Sequence, residues 1–241
     1  MLILTKPSAG IAAPLLFIYL LTRPGLASRR TTAALAFAAP AAAGVFAALL
    51  YNYLRFGNWS EFGYYLLNDR DSMYRFTVPM WAGLHCLLFS SGKGLFFYVP
   101  ATAAAFAAAG MFSKRNRSEA ALFVAIFAAF LLTYAKWNQW HGDFAWGPRF
   151  LVPLMPFIVL PLGAAIEGFA PGKKALRAFL FFAVFALSVF VQLLGVLPRT
   201  GAYLTMAKAQ PPFQIIHHPG DIRLRDDLLN QHFIPESSPL A

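Results

Sequence analysis

Long apolar runs alternate with short polar clusters along this chain, and the runs set its plan. A helix needs about 20 largely apolar residues to cross roughly 30 Å of hydrocarbon. Six segments come close: Ala9–Thr22, Thr31–Leu54, Leu95–Phe112, Ala120–Ala135, Leu151–Ala170 and Ala178–Leu197. The first reaches full length only by borrowing Leu2–Ser8. The second and third are rich in alanine, which is marginal for insertion but suits close helix packing. The last, AFLFFAVFALSVFVQLLGVL, is the clearest span. Backbone groups cannot go unpaired in lipid, so spanning elements of this kind are helices. The pattern therefore predicts an all-α, polytopic membrane helix bundle of about six transmembrane helices over residues 1–197. Two aromatic-rich outer loops interrupt it, and a polar tail over residues 198–241 follows it.

Composition agrees. The chain is 59% hydrophobic and only 12% charged, with a mean hydropathy of +0.56. A soluble domain carries about a quarter charged residues, so lipid rather than a large core is the expected solvent. A net charge of +10 could suggest nucleic acid, but the basic residues sit in short clusters between apolar runs. That is the arrangement of the positive-inside rule, so no nucleic-acid partner is expected. With Cys86 as the one cysteine, no internal disulfide forms and a thiolate metal site is not expected.

The basic clusters also set an orientation. Arg23, Arg29 and Arg30 follow the first run, Lys114, Arg115 and Arg117 the third, and Lys173, Lys174 and Arg177 the fifth. Every second loop is basic, with Glu119 the one acid among them. The intervening loops mix signs and are rich in Trp, Tyr and Phe. The basic loops are expected in the cytoplasm, and the aromatic loops and both termini outside. Residues 1–22 do not have the basic start and small-residue cleavage site of a signal peptide. An outer N-terminus with Lys6 just before a span then has two readings. Either an odd number of spans precedes Met1 in the natural protein, or Ala9–Thr22 is a re-entrant or interfacial segment.

Candidate chemistry lies in the outer loops. In the first, Asp69 and Asp71 stand in NDRDS, a spacing that can hold a divalent metal and that is otherwise a solvated acidic pair. This is the weakest of the candidates, and no cofactor is otherwise expected. SSGKG is not a nucleotide-binding loop, because Leu87 stands at the first glycine position and Gly94 replaces the hydroxyl residue. It can present amides and Lys93 to an anion, or Lys93 can reach a headgroup as a snorkelling side chain. The second loop, WNQWHGDFAWGPRF, packs three tryptophans, His141, Asp143 and Arg149 into a short stretch. The tryptophans suit an interfacial belt. Gly142 and Gly147 allow tight turns that fold the loop back over the bundle mouth. Pro148 then opens the next helix with Arg149 near its start, a place for a phosphate or carboxylate. His141 and Asp143 are close enough to share a proton or orient one another. Caps and interface anchors are the alternative for all of these. The sequons at Asn58 and Asn116 carry no weight.

Taken in order, LTKPSAG, YNYLRFGNWSEFGY, GLHCLLFSSGKGLFFYVP and WHGDFAWGPRFLVPLMPF resemble the GT-C superfamily of membrane glycosyltransferases. The likeness is to its branch of bacterial proteins similar to dolichyl-phosphate-mannose protein mannosyltransferases, and it covers most of residues 1–160. The resemblance implies a bacterial inner-membrane, multi-pass protein with its outer loops periplasmic or extracellular. It implies transfer of a sugar from a polyprenyl-phosphate donor to an acceptor at the outer face, with inversion. In the family an acidic residue in an early outer loop is the base, and no segment here matches that loop. The chain then corresponds to the later part of such an enzyme, and its catalytic residue is unassigned. The tail either is an outer appendage or, as FIPESSPLA resembles a Ser-Pro turn, leads into a further segment. Under this resemblance Arg149, Lys93 and Lys6 are candidates for phosphate contact, and His141 and Asp143 for orienting donor or acceptor.

Two other classes compete. A non-catalytic membrane protein would bind lipid-linked sugar or act as a scaffold without transferring it. A transporter would place ionisable residues near the midplane of its spans. The apolar segments hold almost none, since Glu167 lies near a cytoplasmic end and Gln192 is neutral. Transport is therefore the least favoured class.

Overall fold

The computed structural model describes residues 10–60, 76–138, 140–142, 146–167 and 174–196. Its elements are α1 (Ala12–Thr22), a 3-10 turn (Pro24–Arg29), α2 (Arg30–Phe56), α3 (Met80–Phe89), α4 (Leu95–Tyr98), α5 (Ala101–Arg115) and α6 (Arg117–Lys136). A 3-10 helix (Arg149–Leu154), α7 (Met155–Val159), α8 (Pro161–Glu167) and α9 (Lys174–Val196) complete the order. The described residues are all-helical, with no strand among them.

Three stretches are long and apolar enough to cross a membrane: Pro24–Phe56, Arg117–Lys136 and Ala178–Gly195. Two expected spans are instead broken, and proline is the reason. Pro lacks an N–H and clashes with the preceding turn. Pro100 separates α4 from α5 where one helix over Leu95–Phe112 was expected. Pro153, Pro156 and Pro161 divide the expected span at Leu151 into a 3-10 helix, α7 and α8. A helix also lies where a loop was expected. α3 reads MWAGLHCLLF and buries Gly83, Cys86 and Leu87.

α6 is the hub. α1, α3, α5, α7 and the Arg149–Leu154 helix all pack on it, and it buries Ile126, Phe130, Tyr134 and Ala135. The α3 contact is the closest, because a Cβ at Gly83 would overlap the backbone carbonyl of Ala135. Small residues let helix backbones approach in this way. α2 packs chiefly on α1 and ends in a left-handed cap, where Gly57 (φ 69°) donates its N–H to Tyr53 O at 2.8 Å.

Among the described residues, two of the basic turns are tied to neighbouring helices by ion pairs. Arg23 pairs with Glu119 at 2.6 Å, and the Tyr19 hydroxyl donates to the same carboxylate oxygen at 2.8 Å, tying α1 to α6. Arg115 pairs with Glu167 at 2.8 Å, tying α5 to α8. The other end of α6, about 30 Å away at 1.5 Å per residue over 20 residues, carries Trp137 and the aromatic loop.

Proline breaks inside apolar surroundings free backbone groups, and α9 answers those at Pro100. Ser188 accepts the Ala101 N–H at 2.7 Å, and Gln192 donates to the Tyr98 carbonyl at 2.7 Å. Ser188 and Gln192 are one helical turn apart, so a single face of α9 serves both groups. The expected tail, residues 198–241, lies outside the described residues.

Candidate functional site

Within the stretch from Trp137 to Phe150 the described residues are 137–138, 140–142 and 146–150, and both glycines there make the tight turns that the sequence suggests. Gly142 (φ 68°) and Gly147 (φ 62°) are both left-handed, a conformation in which glycine alone is unstrained. A side chain at either position would press on its neighbours. A Cβ at Gly142 would meet Arg149 Cγ and Nε at 3.0 Å, and one at Gly147 would meet the Tyr98 ring at 2.9 Å. Gly142 thus seats the Arg149 stem, and Gly147 seats the loop on the segment that follows Lys93.

The tryptophan rings pack against the bundle, Trp140 fully and Trp137 and Trp146 in part. Trp140 is buried, 2% exposed. Trp137 is half-buried against Tyr134 and Phe150, with ring centroids 5.8 and 5.0 Å away, and Tyr134 and Phe150 themselves stack at 4.6 Å. Trp146 sits edge-on to Tyr98 at 5.1 Å and so close to α9 that a Cβ at Gly195 would lie 2.5 Å from its indole. Aromatic pairs in these geometries are worth about 0.5–1.5 kcal/mol each beyond their burial. The described residues of the loop therefore form a packed cap that touches α6, α4 and α9.

Arg149 is an exposed charge on this cap. Its guanidinium carbon lies 5.0 Å from the centre of the Phe150 ring. The expected helix start at Pro148 is present, but as a 3-10 helix entered through a tight turn. Pro148 (φ −81°, ψ 73°) lets the Arg149 N–H donate to Gly147 O at 3.0 Å, the geometry of an inverse γ-turn. The Leu151 N–H donates to Pro148 O at 2.9 Å. Two of the first amides are thus used within the turn, so an anion would meet the guanidinium rather than a row of amides.

Lys93 departs from expectation. Its side chain is only 3% exposed, so it neither snorkels to a headgroup nor projects from a surface turn. Ser90 explains the fold of SSGKG. Its hydroxyl accepts the Lys93 N–H at 3.1 Å while donating to Cys86 O at 2.7 Å, and its carbonyl accepts the Gly94 N–H at 2.7 Å. Those amides are satisfied internally and cannot form an anion nest. Gly94 is required because a Cβ there would collide with Ser90 backbone.

His141 is half-buried, edge-on to Trp140 with ring centroids 5.9 Å apart. Among the predicted site residues the structure thus gathers Arg149 and His141 in one cap, resting through Gly147 on the α4 segment next to Lys93. Asp143, Lys6, Asp69 and Asp71 lie outside the described residues. Among the described residues no group of three or more His, Cys, Asp or Glu side chains could hold a metal. Ser188 and Gln192 were not singled out from sequence as site residues. The signal was available, because two polar residues four apart in an otherwise apolar span mark a face that serves backbone groups. No protein-family model, curated protein or solved structure matches the chain.

Proposed function

We propose that the chain is a membrane-embedded, glycosyltransferase-like protein. In this reading it is part of an enzyme that transfers a sugar from a polyprenyl-phosphate donor to an acceptor at the outer face of a bacterial inner membrane. About six membrane segments form the bundle, the three long helices together with the shorter apolar ones. The Trp137–Phe150 cap faces the periplasm or extracellular space.

One observation carries the reading. Left-handed Gly142 and Gly147 and the packed rings of Trp137, Trp140 and Trp146 support a cap on which Arg149 is exposed, at the end of α6 away from the Arg23–Glu119 pair. A guanidinium on a fixed scaffold at a membrane–water boundary suits a lipid-linked phosphate, which it can hold by two parallel hydrogen bonds. In transfer, such a cation stabilises charge developing on the departing lipid phosphate. Arg149 is assigned that role here. His141 and Asp143 are assigned to orienting donor or acceptor, and the base that deprotonates the acceptor hydroxyl is unassigned.

The test is donor binding by the full chain in lipid nanodiscs, using a polyprenyl-phosphate sugar and the Arg149→Ala variant. Loss of a charge-assisted pair costs about 1.5–3 kcal/mol, so affinity should fall about tenfold or more. Unchanged donor affinity refutes the assignment. Sugar transfer measured on the same sample separates an enzyme from a binding or scaffolding protein, which would hold donor without turning it over.

A further inference from the structure

A cavity lies away from the cap, toward the α5–α6 turn. α5 and α6 leave a cavity of about 340 Å³ between them, closed on one side by α7 and α8. That volume is within the range of about 300–1,000 Å³ common for small-molecule sites. Phe106, Gly110 and Ser113 line it from α5, Phe123 and Phe127 from α6, and Phe157 from α7. The α5 residues recur every three or four positions, so the cavity runs along the helices as a groove of roughly 10 Å. Its walls are held by ring contacts, Phe106 on Phe127 at 5.4 Å and Phe123 on Phe157 at 5.4 Å. Phe106 and Gly110 are exposed, so the groove opens to the outside of the bundle.

Its far end is Ser113 and Ala120, on either side of the turn that carries Lys114, Arg115 and Arg117. Arg115 is engaged by Glu167. Lys114 and Arg117 are exposed, and among the described residues no acid pairs with them. An apolar groove whose end adjoins the turn bearing two exposed cations, Lys114 and Arg117, matches the form of an anionic amphiphile. Basic pockets between membrane helices on the cytoplasmic side recognise anionic headgroups in this way.

We infer that this groove binds one acyl chain of an anionic glycerophospholipid from the surrounding bilayer, with its phosphate on Lys114 and Arg117. The site depends on the membrane reading of the chain but not on glycosyl transfer. It would fix the α5–α6 turn and the α8 helix behind it, and bias the protein toward leaflets rich in anionic lipid.

Gly110 provides a clean test. Gly110 lines the groove and a Cβ there meets nothing within 4 Å, so Gly110→Leu is designed to occupy the groove without a backbone clash, and it favours the helix. The full chain, delipidated in detergent, is titrated with phosphatidylglycerol and with phosphatidylcholine of the same chain length, and bound lipid is counted by native mass spectrometry. One phosphatidylglycerol should bind, about tenfold or more tighter than phosphatidylcholine. Gly110→Leu should abolish both, and Lys114→Gln with Arg117→Gln should erase the preference for phosphatidylglycerol. Ala109→Leu, at another lining position, is the second blocking variant should Gly110→Leu lose helical content. Dihexanoyl phosphatidylglycerol, with short chains, should bind at least tenfold more weakly than the long-chain lipid in the unmutated protein. Equal binding of the two headgroups, no dependence on chain length, or undiminished binding in a folded groove-filled variant would each overturn the proposal.

Discussion

Replacing Gly147 by alanine separates a merely permissive turn from a cap seated on the bundle. The left-handed conformation alone costs an L-residue about 1–2 kcal/mol. Alanine also restricts the unfolded chain, which returns about 0.4–1 kcal/mol. Gly57 supplies the control, since it is left-handed at φ 69° and a Cβ there meets nothing within 4 Å. Gly57→Ala should therefore lose only about 0–1.5 kcal/mol. At Gly147 the new Cβ would lie 2.9, 3.0 and 3.2 Å from Tyr98 Cδ1, Cγ and Cβ. Carbon atoms prefer about 3.5–4.0 Å, and Tyr98 is fully buried with no open side to move toward. Overpacking of this kind costs about 1–3 kcal/mol more. With about 2–4 °C per kcal/mol for a chain of this size, Gly147→Ala should melt roughly 2–12 °C below Gly57→Ala in detergent. In a Tyr98→Ala background the extra loss should shrink, because the ring that the Cβ meets is gone. Equal melting points for the two alanine variants, with no coupling to Tyr98, would refute the packed-cap geometry.

Two further outcomes follow from the same contacts. Gln192→Leu or Ser188→Ala should each destabilise the bundle by about 1–2 kcal/mol, because a Tyr98 carbonyl or an Ala101 N–H is left unanswered in apolar surroundings; unchanged thermal or denaturant midpoints would show that other groups serve the Pro100 break. Glu119→Ala removes the carboxylate shared by Tyr19 and Arg23, so α1 should separate more readily from α6 and trypsin should cut faster at Arg29 or Arg30, whereas an unchanged cleavage rate would show that apolar packing alone holds α1.

The three helices long and apolar enough to cross a membrane were legible because that property depends on composition and on uninterrupted length. Arg117–Lys136 and Ala178–Gly195 follow closely from their apolar runs, and two members of the basic clusters, Arg23 and Arg115, are held by Glu119 and Glu167. Reading through Pro100, Pro153 and Pro156 as ordinary span residues was the error behind the two continuous helices expected there. The prolines were visible, but the partners that make a break tolerable, Ser188 and Gln192, come from far along the chain. α3 was hidden for a similar reason. Ten residues are too few for a span, and its burial comes from Gly83 meeting Ala135, a contact that only tertiary packing creates.

In the candidate site, the turns at Gly142 and Gly147 could be read locally because left-handed backbone is a local property. The inward packing of Trp137, Trp140 and Trp146 could not. An indole beside a membrane segment serves a belt or a core equally well, and the choice depends on what stands opposite. Lys93 shows the same limit. Its neighbours suggested an exposed turn, whereas Ser90 folds that turn into the interior.

Photo-crosslinking with a polyprenyl phosphate carrying a benzophenone near its phosphate tests the central claim most directly, when applied to the full chain in nanodiscs. The account predicts that the labelled peptide contains His141 and Arg149, and that Arg149→Ala reduces its yield about tenfold, in line with the loss of a charge-assisted pair. Labelling confined to the basic turn at Lys114–Arg117, with the Trp137–Phe150 cap unlabelled, would contradict it.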